Sequence, residues 1–228
     1  MSLNSILSWW ASNERLIALL TDALGQTLAM VFASGVIGFV FGIPLGVLLH
    51  LSKKSGLLEN RTLNKTLGIV VNIGRSIPFI ILLVAIIPFT RFIVGSSIGT
   101  AAAIVPLTLA AIPFIARLVE GALLEVPAGL VEAAQAMGAK PRQIITKVLL
   151  PEALPGIINA LTITLVTLVG YSAMAGTVGG GGLGDVGIRY GYQRFDGSVM
   201  LITVVILVIL VQIIQSIGDQ LVKYVDHR

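Results

Sequence analysis

The sequence contains no cysteine and only two histidines, His50 and His227. Disulfides, thiolate nucleophiles and Cys- or His-cluster metal sites are therefore excluded. Charge is also scarce: 11% of residues are charged against 56% hydrophobic, with a mean hydropathy of +0.97, where a soluble domain carries roughly 25% charged residues. Water is not the main solvent of such a chain. A P-loop of the form GxxxxGK[ST] is absent, so any ATP chemistry belongs to another polypeptide. The apolar stretches hold no acidic or histidine side chain of the kind that couples ions in a secondary transporter or lines a channel. Nor do they pair a hydroxyl with a nearby base, as an intramembrane enzyme requires. Residues 1–12 contain no Lys or Arg and apolar runs recur to the end, so no cleaved signal peptide is expected.

What is present is apolar length. A membrane-spanning helix needs about 20 predominantly apolar residues, and five stretches approach that: 24–49, 69–89, 95–118, 156–176 and 199–217. Lys53, Lys54, Arg61 and Lys65 lie between the first and second; Arg117, Lys140, Arg142 and Lys147 between the third and fourth; Lys223 and Arg228 follow the fifth. The other side receives Arg15, Arg91, Arg189 and Arg194. The excess of Lys and Arg on cytoplasmic segments places the N-terminus outside and the C-terminus in the cytoplasm. The net charge of +4 is thus a matter of topology and anionic lipid, and nucleic acid is not expected as a partner. Residues 1–22, with Trp9 and Trp10 among Leu3, Ile6 and Leu7, read as an interfacial amphipathic segment or as a frayed terminus. Gly38, Gly42 and Gly46 put bare backbone on one face of the first span, which permits close helix packing.

The longest cytoplasmic connection, residues 120–151, reads as two short helices. Leu130, Ala134 and Met137 share one face of the first, with Glu132 and Gln135 off it. Gly138 supplies a left-handed C-terminal cap, and Pro141 suits the first turn of the next helix. Ile144, Ile145, Val148 and Leu149 form the apolar face of the second, and Pro151 with Pro155 is expected to separate it from the fourth span. That apolar face is covered by the membrane, by the protein's own helices, or by a partner that grips the knob.

The spacing Glu132-Ala133-Ala134, three residues, Gly138, nine residues, then Val148-Leu149-Leu150-Pro151 resembles the EAA loop of type I ABC importer permeases. The family has Ile at the position of Val148, a change of one methylene. Arg75 to Ile80, Tyr171 to Gly176 and residues 179–195 are similar to the methionine permease subfamily. The resemblance implies an all-α, polytopic inner-membrane permease forming a single transmembrane domain over residues 1–228. It also implies a coupling role for Glu132, Ala133, Ala134, Gly138, Val148, Leu150 and Pro151. The implied partners are a second copy of the chain, two cytoplasmic ATPase subunits that bind ATP and Mg, and an extracytoplasmic methionine-binding lipoprotein, with lipid around them. No cofactor and no catalytic residue are expected in this chain. Another small amino acid is the alternative cargo, and a non-ABC secondary transporter the alternative class.

Candidate pathway residues come from the spans. Arg75 lies well inside an apolar stretch, where a charge costs at least ~2.5 kcal/mol. It faces protein or water within a continuous helix, or sits at a break near Ile77-Pro78 and snorkels. Thr164, Thr167, Tyr171 and Met174 share a face of the fourth span. The two threonines line a path or bond their own backbone; Met174, flexible and polarizable, is a gate or a core residue. Gly179, Gly181 and Gly184 match GxGxxG, but a span rather than a strand precedes them, so a tight outer turn is expected instead of a dinucleotide site. The residues after it, Arg189, Tyr190, Tyr192, Arg194 and Phe195, anchor at the interface or meet a delivery protein.

Overall fold

A computed structural model describes residues 14–54 and 56–226. Among them the chain is helical throughout, without strands. Helix α1 (Glu14–Ser52) runs unbroken for 39 residues, about 58 Å at 1.5 Å per residue and well beyond a ~30 Å hydrocarbon core. Its start shows no break at residue 22: residues 14–22 are its first turns, and Leu20 and Ala23 pack against Leu183, Val186 and Val199. Trp9, Trp10, His227 and Arg228 lie outside the described residues.

Asn60 starts α2 (Arg61–Ser76), its Oδ1 accepting the Leu63 N–H at 3.0 Å. The second span is not continuous. Ile77 is extended, as a residue before proline prefers to be, and α3 (Phe79–Ala85) leaves α2 at 97°. A short helix α4 (Ile87–Val94) follows. Then comes α5 (Thr100–Leu124), the centre of the bundle: 56% of its most apolar window is buried, against 22% for the last helix.

The glycine stripe of α1 packs on α5 within the same chain. A Cβ at Gly42 would lie 2.8 Å from Ile115 Cβ, and one at Gly46 would lie 2.5 Å from the Ala116 carbonyl oxygen. Backbones this close gain dispersion along their whole contact.

After the connection that follows α5, α8 (Leu150–Gly176) crosses the bundle. At its far end α9 (Gly182–Val186) folds back onto α1. The Gly182 N–H donates to Gln26 Oε1 at 2.8 Å and the Leu183 N–H to Thr27 Oγ1 at 2.9 Å, which satisfies donors that a helix start leaves open. Gly179, Gly181 and Gly182 have φ of +88°, +79° and +77°, so the glycine run makes the tight turns its composition suggests. A wide turn, Gly187–Tyr192, leads to α10 (Gly197–Val225), whose N-cap Asp196 accepts from the Ser198 and Val199 N–H groups.

Candidate functional site: the helical knob and the broken second span

The connection between α5 and α8 is built from α6 (Ala128–Ala136), α7 (Pro141–Ile144) and a wide turn, Ile145–Leu149, that flows into α8. Gly138, at φ +77°, closes α6 by donating to the Gln135 carbonyl at 2.9 Å, while Ala139 donates to the Ala134 carbonyl at 3.0 Å. These two bonds are the Schellman pair that satisfies the last carbonyls of a helix. Pro141 opens α7, and the Lys140 N–H donates to Gln143 Oε1 at 2.8 Å.

The prolines do not separate this unit from the fourth span. Residues Pro141–Gly176 form one 36-residue helical run, with Pro151 in its interior. A proline ring clashes with the carbonyl four residues back; the five-residue wide turn just before Pro151 loosens the spiral there.

Ala134, Ile144 and Leu149 are buried in the main core with Leu51, Leu123, Val126 and Ala153, and Val148 and Leu150 pack against it half-buried. The protein's own helices therefore cover the second helix's apolar face. On α6 the inward face is Val131 and Ala134, three residues apart; Leu130 and Met137 face out, Met137 81% exposed. Glu132 and Ala133 are exposed, as is Pro151. A cavity of about 290 Å³ separates α6 from the end of α1, lined by His50, Lys53, Glu132 and Gln135 among apolar side chains.

The pathway candidates divide. Arg75 stands in the last turn of α2, exposed, at the break rather than within a continuous span. Thr164 and Thr167 donate to the Ala160 and Ile163 carbonyls at 2.8 Å each, so both hydroxyls are taken up by their own helix. Tyr171 stacks on Phe79, the first residue of α3, with centroids 4.5 Å apart and planes 3° from parallel. Met174 lies one turn further, 46% exposed. Asn159, Ile163, Gly170 and Met174 together form a stripe on α8 that the single chain leaves open.

Sequence reading missed one polar contact. Arg117, placed among the loop cations, lies inside α5 and donates from Nη1 to Glu120 Oε2 and from Nη2 to Asn72 Oδ1, both at 2.6 Å. The i,i+3 spacing of Arg117 and Glu120 in an apolar helix was the available signal; Asn72, 45 residues away, gave none.

At the opposite end Arg189 pairs with Asp185 at 2.8 Å and Arg194 lies 4.4 Å from the centroid of Tyr190. Phe195 has φ +57° and is 92% exposed, beside exposed Tyr192. A side chain held outward on a left-handed backbone forms the tip of this surface.

Residues 42–228 match the family model described as "Binding-protein-dependent transport system inner membrane component". The chain belongs to this family. This permease is 69% identical over 228 residues, all of both chains, to the Vibrio cholerae protein named "Probable D-methionine transport system permease protein MetI". It is 62% identical over 164 residues to the Escherichia coli K12 D-methionine transport system permease MetI, covering 72% of this chain and 76% of that one. A chain of the MetNI methionine ABC transporter, solved in inward-facing conformations, superimposes with a TM-score of 0.92 at 59% identity, covering 94% of the permease and 99% of itself. A chain of an amino acid ABC transporter crystallised with histidines superimposes at 0.78 with 16% identity, covering 94% and 98%, and shares the fold. The permease is thus a multi-pass inner-membrane transport component with the architecture of a type I ABC importer subunit.

Proposed function

We propose that this permease is the membrane-spanning subunit of an ATP-driven importer that carries methionine inward by alternating access. The observation that carries the reading is its likeness to the MetNI chain, 59% identical over 94% of this one at a TM-score of 0.92. The full-length identity of 69% to a MetI protein supports the same cargo. With no P-loop of its own, the permease depends on a separate ATPase to bind ATP and Mg and to hydrolyse the nucleotide.

The knob formed by α6, α7 and the wide turn suits that partner. It is capped, anchored in the core through Ala134, Ile144 and Leu149, continuous with α8 and joined to α5 by the three residues Glu125, Val126 and Pro127, so force applied at Glu132, Ala133 and Met137 reaches two spans over a short path. In this reading Gly138 shapes the knob, while Val148, Leu150 and Pro151 seat it. The open stripe on α8, with Met174 and Tyr171 near its outer end, is completed by a second copy of the chain about a twofold axis. Tyr192, Arg194 and Phe195 meet the extracytoplasmic binding protein, and the exposed apolar side chains of α10 from Leu201 to Leu221 face lipid.

The test is uptake of labelled methionine into vesicles containing the permease, its ATPase and its binding protein. ATP-dependent accumulation is the expected result. A complex that assembles and hydrolyses ATP in response to the binding protein but accumulates no methionine would overturn the cargo, and a permease that binds no ATPase would overturn the importer.

A further inference from the structure

Movement of the cytoplasmic knob enters the membrane through α5, which reaches α6 across only Glu125, Val126 and Pro127. Two turns before that junction, the Arg117 guanidinium spans two oxygens. Its bond to Glu120 Oε2 stays within α5 and aims the side chain; its bond to Asn72 Oδ1 crosses to α2. The same two helices also touch next to this link. Val71 is buried in a cluster with Ala116, and Gly74 lies so close to Pro113 that a Cβ would sit 3.0 Å from Pro113 Cγ. On its other flank, toward α8, Arg117 borders a cavity of about 220 Å³ shared with Glu125, Gly156 and Asn159. So α5 is tied to α2 at this point, while on its other side it packs on α8, where a Cβ at Gly156 would lie 2.8 Å from Ala122 Cβ.

From Asn72 the connection continues to the break. The Asn72 carbonyl accepts the Ser76 hydroxyl at 2.7 Å, and Ser76 is the last residue of α2. Beyond Ile77 and Pro78, Phe79 carries the stack on Tyr171. One contiguous set of contacts thus runs from the knob, through Arg117 and Asn72, to the aromatic pair beside the open stripe of α8.

We infer that Arg117 is a positioning residue that makes α2 follow α5, so that closure of the ATPase moves the broken span and not the knob alone. This rests on the importer reading above. Arginine suits the role because a planar guanidinium serves two acceptors at once in a fixed direction, which a lysine ammonium does not. Asn72 is exposed and its removal leaves the Arg117–Glu120 pair intact, so Asn72→Ala is the variant with the least effect on folding.

The experiment measures methionine accumulated per ATP hydrolysed in the reconstituted complex. Asn72→Ala is expected to lower that ratio about tenfold, the size of a lost hydrogen bond to a charged group, while ATP hydrolysis stays within about twofold. Asn72→Asp, which keeps an acceptor for Arg117, is expected to retain coupling. Arg117→Ala combined with Asn72→Ala should be no worse than Arg117→Ala alone. An unchanged ratio in Asn72→Ala, or a parallel loss of hydrolysis and accumulation that Asn72→Asp does not rescue, overturns the inference while wild-type uptake upholds the importer. Absence of uptake by wild type would instead overturn the reading on which it rests.

Discussion

Gly138 is required by backbone geometry alone. A Cβ added there meets nothing within 4 Å, yet φ is +77°, a region where an L-residue loses about 1–2 kcal/mol. Its effect should therefore appear as local opening. In the assembled transporter, Gly138→Ala is expected to speed amide exchange of the α6 cap by about fivefold or more, with Gly138→Asn intermediate because asparagine tolerates this conformation better. The diagnostic amide is Ala139, whose N–H is held by the Ala134 carbonyl. Equal exchange in Gly138→Ala and wild type would show that the left-handed cap does not set the stability of the knob. This glycine was legible in sequence because its role is local: a helical pattern ends, glycine follows, and proline starts the next turn. The Arg117–Asn72 bond was not legible, because it joins residues 45 apart through the packing of two helices. The hydroxyls of Thr164 and Thr167 stood between the two cases, since bonding to the helix's own carbonyl and lining a path leave the same residue pattern.

At the scale of elements, the glycines of α1 show what a residue pattern specifies and what it leaves open. Their four-residue spacing announced a close contact but not its partner, which is α5 of the same chain. At Gly46 an added Cβ would meet the Ala116 carbonyl oxygen at 2.5 Å and Val119 Cβ at 2.8 Å. A carbonyl cannot rotate away, so the helices must separate. Gly46→Ala is expected to destabilise the detergent-solubilised complex by about 1–3 kcal/mol, as overpacking does. Gly25→Ala, on the same helix with nothing within 4 Å, should be neutral or slightly stabilising because alanine loses less backbone freedom. Thermal unfolding of the two variants decides this: similar midpoints would mean that the α1–α5 contact yields easily. Hydropathy placed four of the five stretches on single long helices, left the course of the second open between a continuous helix and a break, and missed the continuity of the fourth with the loop before it. The polar run Asn72 to Pro78 marks a 97° bend rather than a mid-membrane charge in a straight helix. Pro151, a helix breaker by local rules, is carried through by a wide turn that no periodicity announces.

For the whole molecule, the central question is which end of the bundle faces the cytoplasm. The excess of Lys and Arg near the α1–α2 connection and the knob points one way. The outer assignment of residues 179–195 depends on the same orientation, and so do the proposed sites for the ATPase and the binding protein. The absence of cysteine makes the matter directly testable, since a single introduced thiol has no native competitor. Met137 and Phe195 are 81% and 92% exposed and lie at opposite ends of α8 and its extension, the one just after α6, the other just before α10. Two variants, Met137→Cys and Phe195→Cys, therefore report on the two sides with little change in packing. In spheroplasts, a charged, membrane-impermeant maleimide is expected to label Phe195→Cys at once and Met137→Cys only after permeabilisation. The reverse pattern would invert the topology and put the knob beyond reach of any cytoplasmic ATPase. Coexpression with the ATPase sharpens the outcome: protection of Met137→Cys in permeabilised cells, with Phe195→Cys still reactive, would map the motor to the knob's exposed face, since Met137 has no cover within its own chain.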